Sequence, residues 1–300
     1  VGIDRIFAGL SGNRVSNAVT GNLTAKVMIL GFHTISLLLH DECTAAKELA
    51  ALGYRCVAIR PKLGGLDPHH DRFMERILQF SEIARAADLQ IVVDAEGEFM
   101  HQPRVLQGPS LASDDPQEAD LAQAWIERWI GVADDLRCSL ITFSSGARAK
   151  TDVDEATLER LAARVETLVE RAQGVKLAVR PAAGDAIATV AQFERMKQWL
   201  GKETKIGVAA DVGEMLVAGE FPVGDRLARN LDDVACVYLC EPGMTRSHDR
   251  RVGQGDVDLS RVVQSLERHG YRGPAIVRVQ GHSELGLLLA EEAVEFLHHP

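Results

Sequence analysis

No uninterrupted apolar run in the 300-residue chain approaches the ~20 residues that cross a bilayer, so no segment reads as a membrane span. The first residues lack a basic stretch followed by an apolar one, and no secretory signal is expected. Cysteine is sparse: Cys43, Cys56, Cys138, Cys236 and Cys240 are an odd number at irregular spacing. That excludes a disulfide framework and predicts free, mostly buried thiols in a reducing, cytoplasmic compartment. Basic residues are in deficit, with 33 Lys and Arg against 43 Asp and Glu and a formal net charge of −10. With no basic run, zinc-knuckle spacing or aromatic–basic repeat, a nucleic-acid partner is not expected. Neither a G-x-G-x-x-G after the first strand nor a P-loop occurs, which argues against a nucleotide-binding doubly wound sheet. What remains is a chain 46% hydrophobic and 25% charged, long enough to bury roughly three quarters of its unfolded surface.

Short apolar runs alternate with longer amphipathic stretches. The predicted strands are 27–32, 55–60, 90–94, 139–143, 175–180, 205–211, 234–240 and 274–279. Most are nearly continuous in Val, Ile, Leu and Ala, as parallel strands buried on both faces require. Between them, Leu158, Leu161, Val165, Leu168 and Ala172 form one helical stripe, and Phe73, Ile77, Phe80, Ala84 and Ala87 another. Asp41, Asp154 and Asp258 stand where helices start; Gly53 and Gly270 stand where helices stop before a strand. Eight strand–helix units predict a single-domain (β/α)8 barrel over residues 27–300, preceded by a polar extension at 1–26. A doubly wound open sheet is the alternative, since periodicity does not show whether the last strand closes on the first. The longest insertion, 96–118, is expected on the side of the strand C-termini.

Barrel chemistry sits at those C-termini. The residues there are His33, Arg60, Asp94, Glu96, Ser144, Arg180, Asp211, Glu214, Tyr238, Glu241 and Arg278. Three strands end alike, in Ala58-Ile59-Arg60, Ala178-Val179-Arg180 and Ile276-Val277-Arg278. An unpaired buried charge is costly, so the arginines either form salt bridges to Asp94, Asp211 or Glu241, or make a pocket for a carboxylate or phosphate. His33 is a candidate proton carrier, and Glu214 and Glu241 a candidate acid/base pair. Tyr238 either hydrogen-bonds a sugar hydroxyl or caps the barrel. Gln280-Gly281-His282-Ser283 offers backbone N–H groups to a phosphate, or Ser283 as a helix cap.

The order of elements, with Met28-Ile29-Leu30-Gly31-Phe32, Glu48-Leu49-Ala50-Ala51-Leu52-Gly53-Tyr54 and Gly253-Gln254-Gly255-Asp256-Val257-Asp258 leading to Gly270-Tyr271-Arg272-Gly273, resembles the xylose isomerase-like TIM barrels. These are the sugar phosphate isomerase/epimerase and AP endonuclease family 2 group. The resemblance implies a divalent metal held by Glu, Asp, His and Glu from the last four strands. Carried over, those positions fall on Arg180, Asp211, Tyr238 and Arg278, with Glu214 where a second histidine is usual. Only Asp211 remains as a ligand, and arginine supplies none. A degenerate metal site is therefore expected, with no cofactor, and with Arg180 and Arg278 replacing the metal electrostatically against Asp211 and Glu241. The function implied is isomerisation or epimerisation of a small sugar, sugar acid or sugar phosphate. Glu214, Glu241 or His33 would move the proton, and Arg60, Arg180, Arg278, Tyr238 and Asp211 would hold the substrate. The alternative is a non-catalytic barrel that binds a sugar-derived anion through its arginines. Neither reading fixes the oligomeric state.

Overall fold

The computed structural model describes residues 28–147, 153–245 and 248–298. Eight parallel strands close into a barrel: β1 (Ile29–His33), β2 (Cys56–Ile59), β3 (Gln90–Asp94), β4 (Cys138–Phe143), β5 (Lys176–Val179), β6 (Gly207–Asp211), β7 (Val234–Leu239) and, after the hairpin β8 (Glu241–Thr245) and β9 (His248–Arg250), β10 (Pro274–Val277). Closure is made by β1 on β10, with Phe32 opposite Val277 and Ile29 opposite Pro274. The open-sheet alternative is thereby excluded. The expected single (β/α)8 domain is what the chain forms, and the 1–26 extension lies outside the described residues.

The helices are α1 (Glu42–Ala51), α2 (Phe73–Ala86), α3 (Pro116–Gly131), α4 (Ala133–Leu136), α5 (Glu155–Arg171), α6 (Val190–Lys197), α7 (Val212–Val217), α8 (Val223–Arg229), α9 (Leu259–Arg268) and α10 (Gly286–His298). Their starts follow the sequence signals. Asp41, Asp154 and Asp258 each accept a backbone N–H from the residue three positions on, which satisfies an orphan donor of the first turn. Gly53 and Gly270 have φ of +98° and +82°, a conformation that an L side chain resists. Replacing Asp41 by Ala is expected to cost about 1 kcal/mol, read as a lower urea midpoint at unchanged slope.

Two cores hold the barrel. Inside it pack Cys56, Ala58, Val92, Leu140, Ala178, Ala209, Cys236, Tyr238 and Ile276, small residues broken by one large ring and a few aliphatics. The larger core lies between strands and helices, where Trp129 is fully buried, edge-on to Phe73 at 5.5 Å and to Trp125 at 6.4 Å. All five cysteines are free and four are buried, as expected. No helix among the described residues is long and apolar enough to cross a membrane.

The strands end one residue before each arginine, yet the arginine backbones stay pinned. Arg180 N–H donates to Phe143 O at 2.7 Å, Arg278 N–H to Leu239 O at 3.0 Å, and Arg60 N–H to Thr34 Oγ1 at 3.1 Å. Fixing the main chain this way aims all three side chains at one end of the barrel.

Candidate functional site

The three arginines converge through carboxylates. Arg60 Nη2 meets Glu96 Oε2 at 2.7 Å, and its Nε donates to Glu96 O at 3.0 Å. Arg180 Nη2 pairs with the same Glu96 oxygen, and its Nη1 lies 3.5 Å from Asp211 Oδ2. Arg278 Nη1 reaches that Asp211 oxygen at 2.9 Å. The result is an alternating row: Arg60, Glu96, Arg180, Asp211, Arg278. Burial opposes ionisation of Asp211, but Arg278 and Arg180 outweigh it, and the carboxyl is held below its ordinary range. Asp211 Oδ1 is taken by the Cys240 thiol at 2.9 Å and by Glu214 N–H at 3.1 Å.

His33 is buried, and the expectation that it carries protons does not fit its surroundings. Its Nδ1 accepts the Ile35 N–H at 3.0 Å, which leaves Nε2 as the protonated nitrogen facing Asp94 Oδ2 at 3.1 Å. Burial, only partly offset by Asp94, lowers its pKa. His33 therefore fixes the turn after β1 as a neutral ring. Tyr238 packs inside the barrel: its hydroxyl pairs with Thr142 Oγ1 at 2.8 Å, and the Arg180 guanidinium lies over its ring at 5.9 Å.

Glu241 also departs from expectation. The chain turns into β8 at this residue, and its carboxylate accepts the Gly253 N–H at 2.6 Å instead of meeting Arg180 or Arg278. Burial raises its pKa. The second acidic partner of Arg278 is instead Asp249 on β9, with Oδ2 3.7 Å from Arg278 Nε. Asp249 also takes one of the amide donors considered for a phosphate in the last loop, its carboxylate accepting the Gln280 N–H at 2.9 Å. Ser283 donates to Ile35 O at 3.3 Å and caps no helix.

Above the arginine row lies a cavity of about 410 Å³, lined by Arg60, Arg180, Arg278, Glu96, Glu214, Asp185 and neighbours. Glu214 faces it from the start of α7, its Oε2 accepting the Ala183 N–H at 2.7 Å. Asp185, which the strand-end reading missed, faces it from the loop after β5. It is 9% exposed. Burial, then the nearby Glu96, push its pKa up to about 7 against Arg180 and a hydrogen bond from Ser144, and Glu214 adds to the rise. The signal was present in Pro181-Ala182-Ala183-Gly184-Asp185, an acid five residues past the strand-end arginine.

Few donors for a divalent metal are present at this centre. Asp211 is the only usual ligand left, and both of its oxygens are engaged by guanidinium, thiol and amide donors. Among the described residues, no group of three or more His, Cys, Asp and Glu side chains could hold a metal ion.

A family model for the xylose isomerase-like TIM barrel matches residues 46–298. Among solved structures, a 3-keto-D-glucoside 4-epimerase from E. coli superposes with a TM-score of 0.71 at 13% identity, over 91% of this chain and 100% of that one. A D-allulose 3-epimerase from Methylomonas sp. gives 0.69 at 16%, over 91% and 97%. An L-ribulose 3-epimerase gives 0.70 at 17%, over 91% and 94%. At these identities the likeness establishes the fold. None of the curated proteins matches the sequence at a significant level.

Proposed function

The chain belongs to the xylose isomerase-like TIM barrel family, and on that premise we propose that it isomerises or epimerises a small uncharged sugar without a metal. The observation that carries this reading is the pairing of Asp185 and Glu214 on one cavity. Two carboxyl groups approach the same space from adjacent strand ends, one of them with its pKa pushed up to about 7. Epimerisation and isomerisation both need a base to take the proton from carbon beside a carbonyl and an acid to return one. Glu214, with one oxygen held by an amide N–H, is the base; Asp185, protonated for part of the time at neutral pH, is the acid. The reverse reaction exchanges the roles.

The enediolate formed between these steps carries its charge on oxygen. Arg180 and Arg278 line the cavity, and each guanidinium has five N–H donors, more than the carboxylates in the row take. They would stabilise that oxygen in place of a cation. An uncharged substrate is favoured over a sugar acid or phosphate because Glu96, Asp211 and Asp249 already neutralise the arginines. The carboxyl groups at the mouth outnumber the guanidinium groups, so a second anion would meet repulsion.

The test is proton exchange in D2O, followed by NMR over a panel of ketoses and aldoses, with and without EDTA. Deuterium is expected at the carbon next to the carbonyl of at least one sugar, at equal rates in both conditions. No exchange with any sugar would overturn the enzymatic reading. Exchange lost in EDTA and restored by Mn2+ would overturn the metal-free mechanism.

A further inference from the structure

A second cavity of about 110 Å³ opens beside the first, between the 96–118 insertion and α3. The two share Glu96, Gln107 and Asp185 in their walls, so they adjoin. Their linings differ. Both are bordered in part by carboxyl groups, Glu118 joining the shared Glu96 and Asp185 in the smaller, but guanidinium groups line only the larger, and the smaller has a wall of Leu111, Trp125, Ile126 and Phe143, each largely buried. Trp125 is locked by its indole N–H, which donates to Ala95 O at 2.5 Å, and by the His101 ring at 4.5 Å. Gly146 forms another part of the wall. A side chain at Gly146 would strike Ser110, with its Cβ 2.5 Å from the Ser110 Cα, and its φ of +81° disfavours one.

An apolar wall of this kind favours an apolar group laid against it, since dispersion contacts there are many. The volume is on the scale of a single small ring. We propose that the annex is a subsite for a small apolar substituent, such as an aryl group, carried by the sugar whose polar part occupies the arginine-lined cavity. Asp185 stands at the junction, where it would contact the bond that joins the two parts. The substrate class is thus a hydrophobically substituted sugar that keeps a carbonyl, such as a glycoside with a ketone on its ring, and simple glycosides serve as its non-reacting binding probes. This rests on the sugar reading above and adds the second half of the ligand.

Two measurements test it on the full chain. Crystals soaked in 4-bromophenol report by bromine anomalous scattering whether an aryl group enters the annex. Calorimetric titration then compares phenyl with methyl β-D-glycosides of glucose, galactose and xylose. Expected are a bromine peak against Trp125 and Phe143 and at least about tenfold tighter binding of one phenyl glycoside than of its methyl counterpart. No bromine at Trp125 would overturn the proposal. Phenyl and methyl glycosides bound equally would overturn it too, while leaving the sugar reading intact. If neither series binds, the proposal fails, and the D2O exchange panel alone decides the sugar reading.

Discussion

Asp185→Asn is expected to produce a protein that is more stable at pH 8 and nearly inactive. The carboxyl has an ordinary pKa of 3.8 and a folded one of about 7. A raised carboxyl pKa contributes its stability fully below 3.8, and that contribution is lost as pH rises to about 7. Above pH 7 the folded protein holds an ionised carboxylate in a site that disfavours it. Every tenfold change in a proton-binding constant corresponds to about 1.4 kcal/mol, and the amide still has to be buried, so a gain of roughly 1–3 kcal/mol is expected at pH 8. The gain should vanish by about pH 4 to 5. Asparagine can neither give nor take the proton, and exchange of the substrate proton in D2O should fall by about 10²–10⁴-fold. Thermal unfolding across pH 4–8, paired with the exchange rate, checks both halves. Stability gained with activity kept would remove Asp185 from the chemistry. Activity lost with no change in the pH dependence of stability would contradict a carboxyl that titrates near neutrality. Stability surrendered for function is the usual cost of a preorganised site.

The barrel was legible because parallel strands buried on both faces leave continuous apolar runs, and capping aspartates and stop glycines mark the helices between them. The three arginines were legible as a repeated strand ending. Asp211 was legible as a partner, and it meets both Arg180 and Arg278, but the bridge through Glu96 was not. Glu96 was visible as a strand-end acid, but nothing in linear spacing indicates that one carboxylate would bridge Arg60 and Arg180, which follow β2 and β5, three strands apart in the barrel order. Glu241 misled for a different reason. It follows a strand by two residues, yet Pro242 and Gly243 belong to a hairpin without the alternating pattern that signals one, and the turn carries the side chain to Gly253. The same hairpin delivers Asp249, which sequence reasoning did not consider. His33 showed the limit of residue type: a strand-end histidine reads as a proton carrier until both ring nitrogens are seen to be occupied.

Asp211 holds the centre together, and its removal should be the most damaging single change to stability at the site. It is 1% exposed and faces two guanidinium groups that are themselves largely buried. Asp211→Leu leaves Arg278 and Arg180 without their shared acceptor while deleting a charge that compensates both. Breaking a buried pair in this way costs about 3–5 kcal/mol, and here the lower end applies because Glu96 still holds Arg180 and Asp249 still lies near Arg278. The second substitution decides the cause. Adding Arg278→Leu to Asp211→Leu removes the stranded charge, and the double variant should be more stable than Asp211→Leu alone, by about 1–2 kcal/mol in denaturant titrations. Acidity offers an independent check with the opposite sign to Asp185. A carboxyl whose folded pKa lies below its ordinary 3.8 contributes stability above that pH and loses it as pH falls further. The wild-type protein should therefore lose stability steeply below about pH 4, and Asp211→Leu should lose less over the same interval. If the double variant is no more stable than the single one, the row is not an electrostatic unit and Asp211 acts through packing or through its bonds to Cys240 and Glu214. In that case Glu214, whose N–H sits on Asp211 Oδ1, should shift with it, and the exchange rate of Asp211→Asn would fall without a comparable loss of stability.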